Sequence, residues 1–268
     1  MKYRRPLAVP QGGFTLIELL IVITIISLLT AITVPIVGDL LNKARNSATK
    51  ATILKVQELL NKRTAAFERD FPAWFKRTYS RAYNPNSVSD LLVRKKKFRE
   101  MFPQFNVSNP TSDADSAEAL YELITNGESF GSAADDVGNF TAGEVDDTDG
   151  DGKMEFVDGW EQPLRWYPWP TQLMKNAGAR RQLTSNLPND LTKDPDDPLG
   201  ALTSLDPANF HDISTYHTPL IVSAGADGEL GLYEPYDKAN NGHLAMPNGD
   251  AAARDDNITN LNNKAGSN

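Results

Sequence analysis

The stretch GGFTLIELLIVITIISLLTAITVPIVG, residues 12–38, decides how this chain is read. It holds a single charge, Glu18, and from Leu19 to Gly38 there are 20 residues without one. As a helix rising about 1.5 Å per residue, that run covers roughly 30 Å, the thickness of a bilayer's hydrocarbon core. Upstream, MKYRRPLAVPQGG carries Lys2, Arg4 and Arg5 and no acid. Such a leader stays on the cytoplasmic side by the positive-inside rule, which sends everything after Asp39 across. An ordinary secretory signal places its small residues after the apolar run. Here the pair Gly12-Gly13 comes before it, so a cut after Gly13 leaves the apolar helix on the product. A plain anchor explains the length but not Glu18, because a carboxylate in an apolar span is costly unless a cation pairs with it. Pro35 removes one helix hydrogen bond, which predicts a kink or local melting over residues 31–35.

These residues resemble the class III leader and N-terminal helix of type IV pilins and of the pseudopilins of type II secretion. The matching features are Gly13 before the cut, Phe14 as the new N-terminus, Glu18 as its fifth residue and Pro35 as its twenty-second. The resemblance covers about residues 12–60 and implies processing and assembly roles. It implies that a membrane peptidase, the prepilin peptidase, cuts after Gly13 and methylates the Phe14 amine. It implies also that Glu18 pairs with the N-terminal amine of a neighbouring subunit in a filament.

Past Asp39 the helical pattern continues. Leu41, Ala44, Ala48, Val56, Leu59 and Phe67 recur at steps of three, four or their sums, while Lys43, Arg45, Lys50, Lys55 and Lys62 face elsewhere. The expectation is one helix from Phe14 to about Arg69, ended by Pro72, with its second half packed on a head. Residues 76–99 hold eight Lys or Arg and one acid, Asp90. They read as a solvated helical segment near acidic neighbours or, alternatively, as a polyanion site. SAEALYELI at 116–124 reads as a short amphipathic helix. The following Gly127-Glu128-Ser129-Phe130-Gly131 matches the pattern of a hydrolase elbow, but that motif needs a strand before the serine, and a helix precedes it here.

Residues 147–158, DTDGDGKMEFVD, place Asp147, Asp149 and Asp151 at positions 1, 3 and 5 of a twelve-residue calcium loop. Gly152 takes position 6, Lys153 offers a backbone carbonyl at position 7, Glu155 sits at 9 and Asp158 at 12. Asp158 replaces the usual glutamate and no flanking helix pair is evident, so an Asp/Gly-rich turn without a metal stays open. Downstream, Asp158-Gly159-Trp160-Glu161-Gln162-Pro163-Leu164-Arg165-Trp166-Tyr167, then TPLIVSAGADGELG at 218–231, then Asp255-Asp256-Asn257-Ile258 follow one another. This succession is similar to the major pseudopilin of type II secretion. It has Glu161 where that family has glycine, and a long insertion, residues 232–254, before the late aspartates. The resemblance implies a calcium-stabilised loop using Asp227 and Asp255 or Asp256. Residues 184–210, rich in proline, Asp and Asn, read as an irregular surface loop.

The rest of the composition excludes more than it identifies. The 268 residues contain no cysteine, which removes disulfides, thiolate metal sites and cysteine nucleophiles together. His211, His217 and His243 fall in no ligand spacing. A formal net charge of −8 argues against nucleic acid as a partner. The expected fold is α+β: a long N-terminal helix on a small antiparallel sheet. The segments are a leader 1–13, a transmembrane half 14–38, an extramembrane half 39–70, a helical insertion 71–145 and a β-rich region 146–268. The expected function is structural rather than enzymatic: a type II secretion pseudopilin that supports protein export. It would be held in the inner membrane with its head in the periplasm, then join copies of itself and other pilin-like subunits through an assembly platform. A pilus subunit for adhesion or DNA uptake, and a hydrolase on a pilin-like anchor, are the alternatives.

Overall fold

The computed structural model describes residues 14–126, 140–170 and 219–261; within 32–36 only the backbone is described. By internal contacts the chain divides into two compact units, Met1–Lys43 and Ala44–Asn268. The architecture is α+β, as the sequence predicts. In chain order the elements are helix α1 (Leu16–Tyr79), α2 (Val88–Met101) and α3 (Asp115–Thr125), strands β1 (Val145–Asp146), β2 (Glu155–Phe156), β3 (Arg165–Tyr167) and β4 (Leu220–Ser223), and finally β5 (Ile258–Thr259). Strands β1 and β2 form a two-stranded antiparallel hairpin, and β3, β4 and β5 a three-stranded antiparallel sheet with β4 in the centre.

The 64-residue α1 begins with apolar side chains exposed all round, from Leu16 and Ile17 to Leu28 and Leu29. Its backbone stays helical through Pro35, with no break over the residues expected to melt. Among the described residues no helix is long and apolar enough to cross a membrane. The span expected for that role, 14–38, includes residues 32–36, whose side chains lie outside the described residues.

In the second unit the buried stripe of α1 includes Ile53, Val56, Leu60, Arg63, Phe67, Phe71 and Phe75, spaced by threes and fours. Leu41, Ala44 and Ala48, expected to share this face, are exposed; burial starts at Thr49. The predicted end of the helix at Pro72 is also corrected, since α1 continues to Tyr79. The physical reason lies in two faces. Pro72 and Glu68 are both exposed, so the Glu68 carbonyl that loses its donor is left to water, which lowers the cost of the missing bond. On the opposite side Phe71 and Phe75 are buried, and only a continuing helix keeps them in register with Phe67. Phe67 meets Phe98 of α2 edge-on at 5.0 Å and Phe71 meets Tyr83 edge-on at 5.2 Å, geometries favoured by the ring quadrupoles.

Helix α3 is buried along nearly its whole length and packs on β2 and β3. Its end is tied to α1 by Arg63, itself buried, whose Nη2 donates to the Ile124 carbonyl at 2.8 Å. A cation there meets the negative end of the helix dipole. Between β2 and β3 the chain reverses at Asp158–Gln162. The Asp158 carboxylate accepts the Trp160 and Gln162 N–H groups and the Ser223 hydroxyl. A side chain at Gly159 would collide with the Arg45 backbone at 2.7 Å, which is why this turn can lie against α1. Glu161 holds φ 64°, a left-handed conformation costly for any residue with a Cβ. The insertion 232–254 is folded: Leu232 bridges Pro247, and Glu234 joins Asp113 in pairing with the buried Arg165.

Phe71→Ala should destabilise the second unit by about 3–5 kcal/mol in chemical denaturation, as expected for a fully buried phenylalanine. Glu161→Gly should stabilise it by up to about 1 kcal/mol by removing the left-handed strain, and an unchanged or lowered midpoint would contradict that reading of the turn.

Candidate functional site

Two places carry chemistry. At the N-terminus, Phe14 and Thr15 precede the first turn of α1, and Phe14 is exposed. Thr15 and Glu18 cap each other. The Glu18 carboxylate accepts the Thr15 N–H at 2.8 Å and the Thr15 hydroxyl at 2.7 Å, and the Glu18 N–H reaches Thr15 Oγ1 at 3.3 Å. This is a capping box, with an acid at the positive end of the helix dipole. Thr-x-x-Glu is legible in the sequence as such a box, although the leader resemblance gives Thr15 no role. Gly13 lies outside the described residues, as do Gly127–Gly131, residues 184–210, His211 and His217. Pro35 contributes a helical backbone position.

The second place is the hairpin loop between β1 and β2, which carries the acidic dodecapeptide. Helices do not flank it; the pairs Val145↔Phe156 and Asp146↔Glu155 close it as a β-hairpin. Asp147 organises the turn, its two oxygens accepting the N–H groups of Gly150 (2.8 Å) and Gly152 (3.0 Å). Gly150 and Gly152 have φ 77° and 90°, which a glycine adopts without strain. Asp149 and Asp151 bring carboxylate oxygens within 4.8 Å of those of Glu155 and of Glu118 from α3. Asp158, at the twelfth position, stands apart, since its carboxylate holds the turn after β2.

Glu118 and Glu155 are buried and Asp149 and Asp151 exposed. The Glu155 Oε2 accepts the Thr148 N–H at 2.7 Å, while Lys153 Nζ lies 2.7 Å from Glu118 Oε2 and 2.6 Å from Asp151 Oδ2. Burial pushes the Glu155 carboxyl up to about 7, with the nearby Asp149 and Glu118 charges adding to the effect. Burial also raises Glu118, against the pull of Lys153. The hydrogen bond from Lys153 lowers Asp151, and the bonds to Asp151 and Glu118 raise Lys153. Glu118 is no part of the acidic dodecapeptide. It lies 29 positions before Asp147, and only the packing of α3 on β2 brings it there.

The late acids are arranged otherwise. Asp256 Oδ2 accepts the N–H of Ala226 at 2.9 Å and of Asp227 at 3.3 Å, and Asp227 Oδ1 accepts that of Glu229. Asp255 closes a short 3-10 turn. The carboxylates of Asp227 and Asp256 therefore serve the local turn, and no group of ligand atoms among the described residues includes Asp227, Asp255 or Asp256.

In the basic segment, Arg81 pairs with the buried Asp90, Arg94 with Glu68 and Lys97 with Glu100. Hydrogen bonds from Arg81, then from the Asn84 N–H, hold the Asp90 carboxyl well below the usual range against the cost of burial. Arg81, Arg94 and Lys97 are thus engaged with acids of the same chain.

Compared with known families, residues 10–34 match the one described as the prokaryotic N-terminal methylation motif. Comparison with the curated proteins and with the solved structures returned no match.

Because Glu155 prefers its protonated form when folded, its contribution to stability is present at low pH and is lost as the pH rises through about 7. With chelator present, the full chain in detergent should melt at a lower temperature at pH 8 than at pH 5.5. Glu155→Gln should remove that part of the difference, and a variant with the same pH dependence as the unaltered chain would refute the assignment.

Proposed function

We propose that the chain is a type IV pilin-like protein, a structural subunit of a type IV pilus-like filament and specifically a pseudopilin of type II secretion, a reading supported by the methylation motif at residues 10–34. The observation that carries the reading is the methylation motif at residues 10–34, which runs into a helix whose apolar side chains are exposed on every side from Leu16 to Leu29. Such a surface is stable only in lipid or against other apolar helices. The leader is removed after Gly13, the prepilin peptidase methylates Phe14, and the helix holds the subunit in the inner membrane with its head in the periplasm. An assembly platform then draws it from the bilayer into a filament, where neighbouring subunits cover what lipid had covered.

Glu18 gives assembly its register. In a single chain its carboxylate is held by Thr15 of the same helix. Packed among apolar helices it loses water, and a buried unpaired carboxylate is expensive. The Phe14 amine of the neighbouring subunit is a cation that offsets that cost at one axial position. Two observations favour the pseudopilin over other filaments. Glu161 adopts a left-handed backbone at the position where the related pattern has glycine, and the strand, turn and late aspartates follow in the related order. Calcium binding by the head belongs to the same reading. The DNA-uptake alternative is weakened by the engagement of Arg81, Arg94 and Lys97 with acids of the chain.

Glu18→Gln and Thr15→Ala separate pairing from capping. Both should be cut after Gly13, with mass spectrometry showing a chain that begins at Phe14. In shear fractionation Glu18→Gln should be largely lost from filaments and retained in the membrane pool, whereas Thr15→Ala should still assemble. Normal filament yield from Glu18→Gln would refute the charge-pairing role. A product beginning elsewhere than Phe14 would refute the processing.

A further inference from the structure

We propose that Glu118 of α3, together with Asp149, Asp151 and Glu155 of the β1–β2 hairpin, forms a calcium site completed by a ligand from outside the loop, with Lys153 as its built-in competitor. The inference is independent of whether the chain joins a filament. Acidic clusters on surfaces are common, and what distinguishes this one is its buried half. Glu118 is 3% and Glu155 0% exposed, and the Oε1 atom of each is buried without a hydrogen-bond partner. The second oxygen of each is engaged, by Lys153 and by the Thr148 N–H. Buried carboxylate oxygens without a donor are costly, and here two of them belong to residues whose ligand atoms lie within 4.8 Å of those of Asp149 and Asp151.

The donor set decides the ion. Four carboxylates with no histidine or thiolate suit a hard cation and not zinc. A hairpin loop with two left-handed glycines tolerates the irregular, carboxylate-rich coordination of calcium better than the strict octahedron that magnesium demands. Lys153 clarifies how the site stays folded without the ion. Its ammonium lies between Glu118 Oε2 and Asp151 Oδ2 at 2.7 and 2.6 Å and supplies one positive charge to a group carrying up to four negative ones. A divalent ion supplies two, so binding releases the lysine to water. The twelve-residue loop reading gives the Lys153 side chain no part, since position 7 uses only a backbone carbonyl. It gives Glu118 no part either.

The test is calorimetric titration of calcium chloride into the full chain in detergent after dialysis against EGTA, with melting followed in parallel. The unaltered chain should bind calcium and melt at a higher temperature in its presence. Glu118→Gln should weaken binding by on the order of tenfold or more, and Lys153→Met should tighten it by about tenfold, the scale of one removed competing charge. Glu58→Gln, an exposed acid on α1, should leave affinity unchanged. A tighter-binding variant cannot arise from misfolding, so Lys153→Met decides the matter if Glu118→Gln folds poorly. The proposal is overturned if the unaltered chain takes up no calcium, or if Lys153→Met binds no more tightly than it.

Discussion

The apolar stripe on α1 from Ile53 to Phe75 has to be kept from water, and the second unit is the covering that does so. Each buried phenylalanine withdraws on the order of 2–3 kcal/mol of apolar surface from solvent. Helix α2 and the residue that caps it contribute Phe98 and Phe102, α3 contributes Leu120, Leu123 and Ile124, and the central sheet contributes Trp166, Ile221 and Ile258. The polar ties that orient these pieces, Arg63 to Ile124 and Thr49 to the Gly159 N–H, are anchored on the same helix. The helix is therefore the frame on which the small strands, two to four residues long, become stable. Strands that short do not hold together alone.

The same helix meets two different environments in one chain. Its first part exposes Leu, Ile and Val on every side, and its later part buries one stripe and exposes the rest. A helix that is apolar all round needs a nonaqueous partner, whereas an amphipathic one needs a protein core. The capping box of Thr15 and Glu18 lets the apolar part begin cleanly, because it satisfies backbone donors that no apolar neighbour would accept. It also keeps the one carboxylate of that part occupied while the chain is alone.

The acidic hairpin shows how a turn becomes a site. Asp147 closes the loop through two glycine N–H groups, Asp149 and Asp151 line it, and α3 delivers Glu118 to its side. Lys153 and the Thr148 N–H hold Glu118, Asp151 and Glu155 in place, and burial raises the carboxyls of Glu118 and Glu155. Ionising those two buried groups opposes folding, a cost that a cation in the proposed site would offset.

The sequence by itself determined the processing motif, the long helix, the α+β class and the short helix at 116–124, because each rests on local periodicity or local turn chemistry. It also contained the Thr15–Glu18 box, a contact between residues three apart. Tertiary structure decided the rest. Pro72 is a helix breaker by its own chemistry, and only the burial of Phe71 and Phe75 beside an exposed Glu68–Pro72 face carries the helix on to Tyr79. Leu41, Ala44 and Ala48 have the spacing of a buried face, but burial depends on whether another element arrives, and it begins at Thr49. The acidic dodecapeptide matched a loop motif position by position, yet Asp158 is drawn away by Ser223 and the following turn while Glu118 is brought in. The Ser223 and Glu118 contacts join residues more than 25 apart in sequence, and no pattern within the loop encodes them.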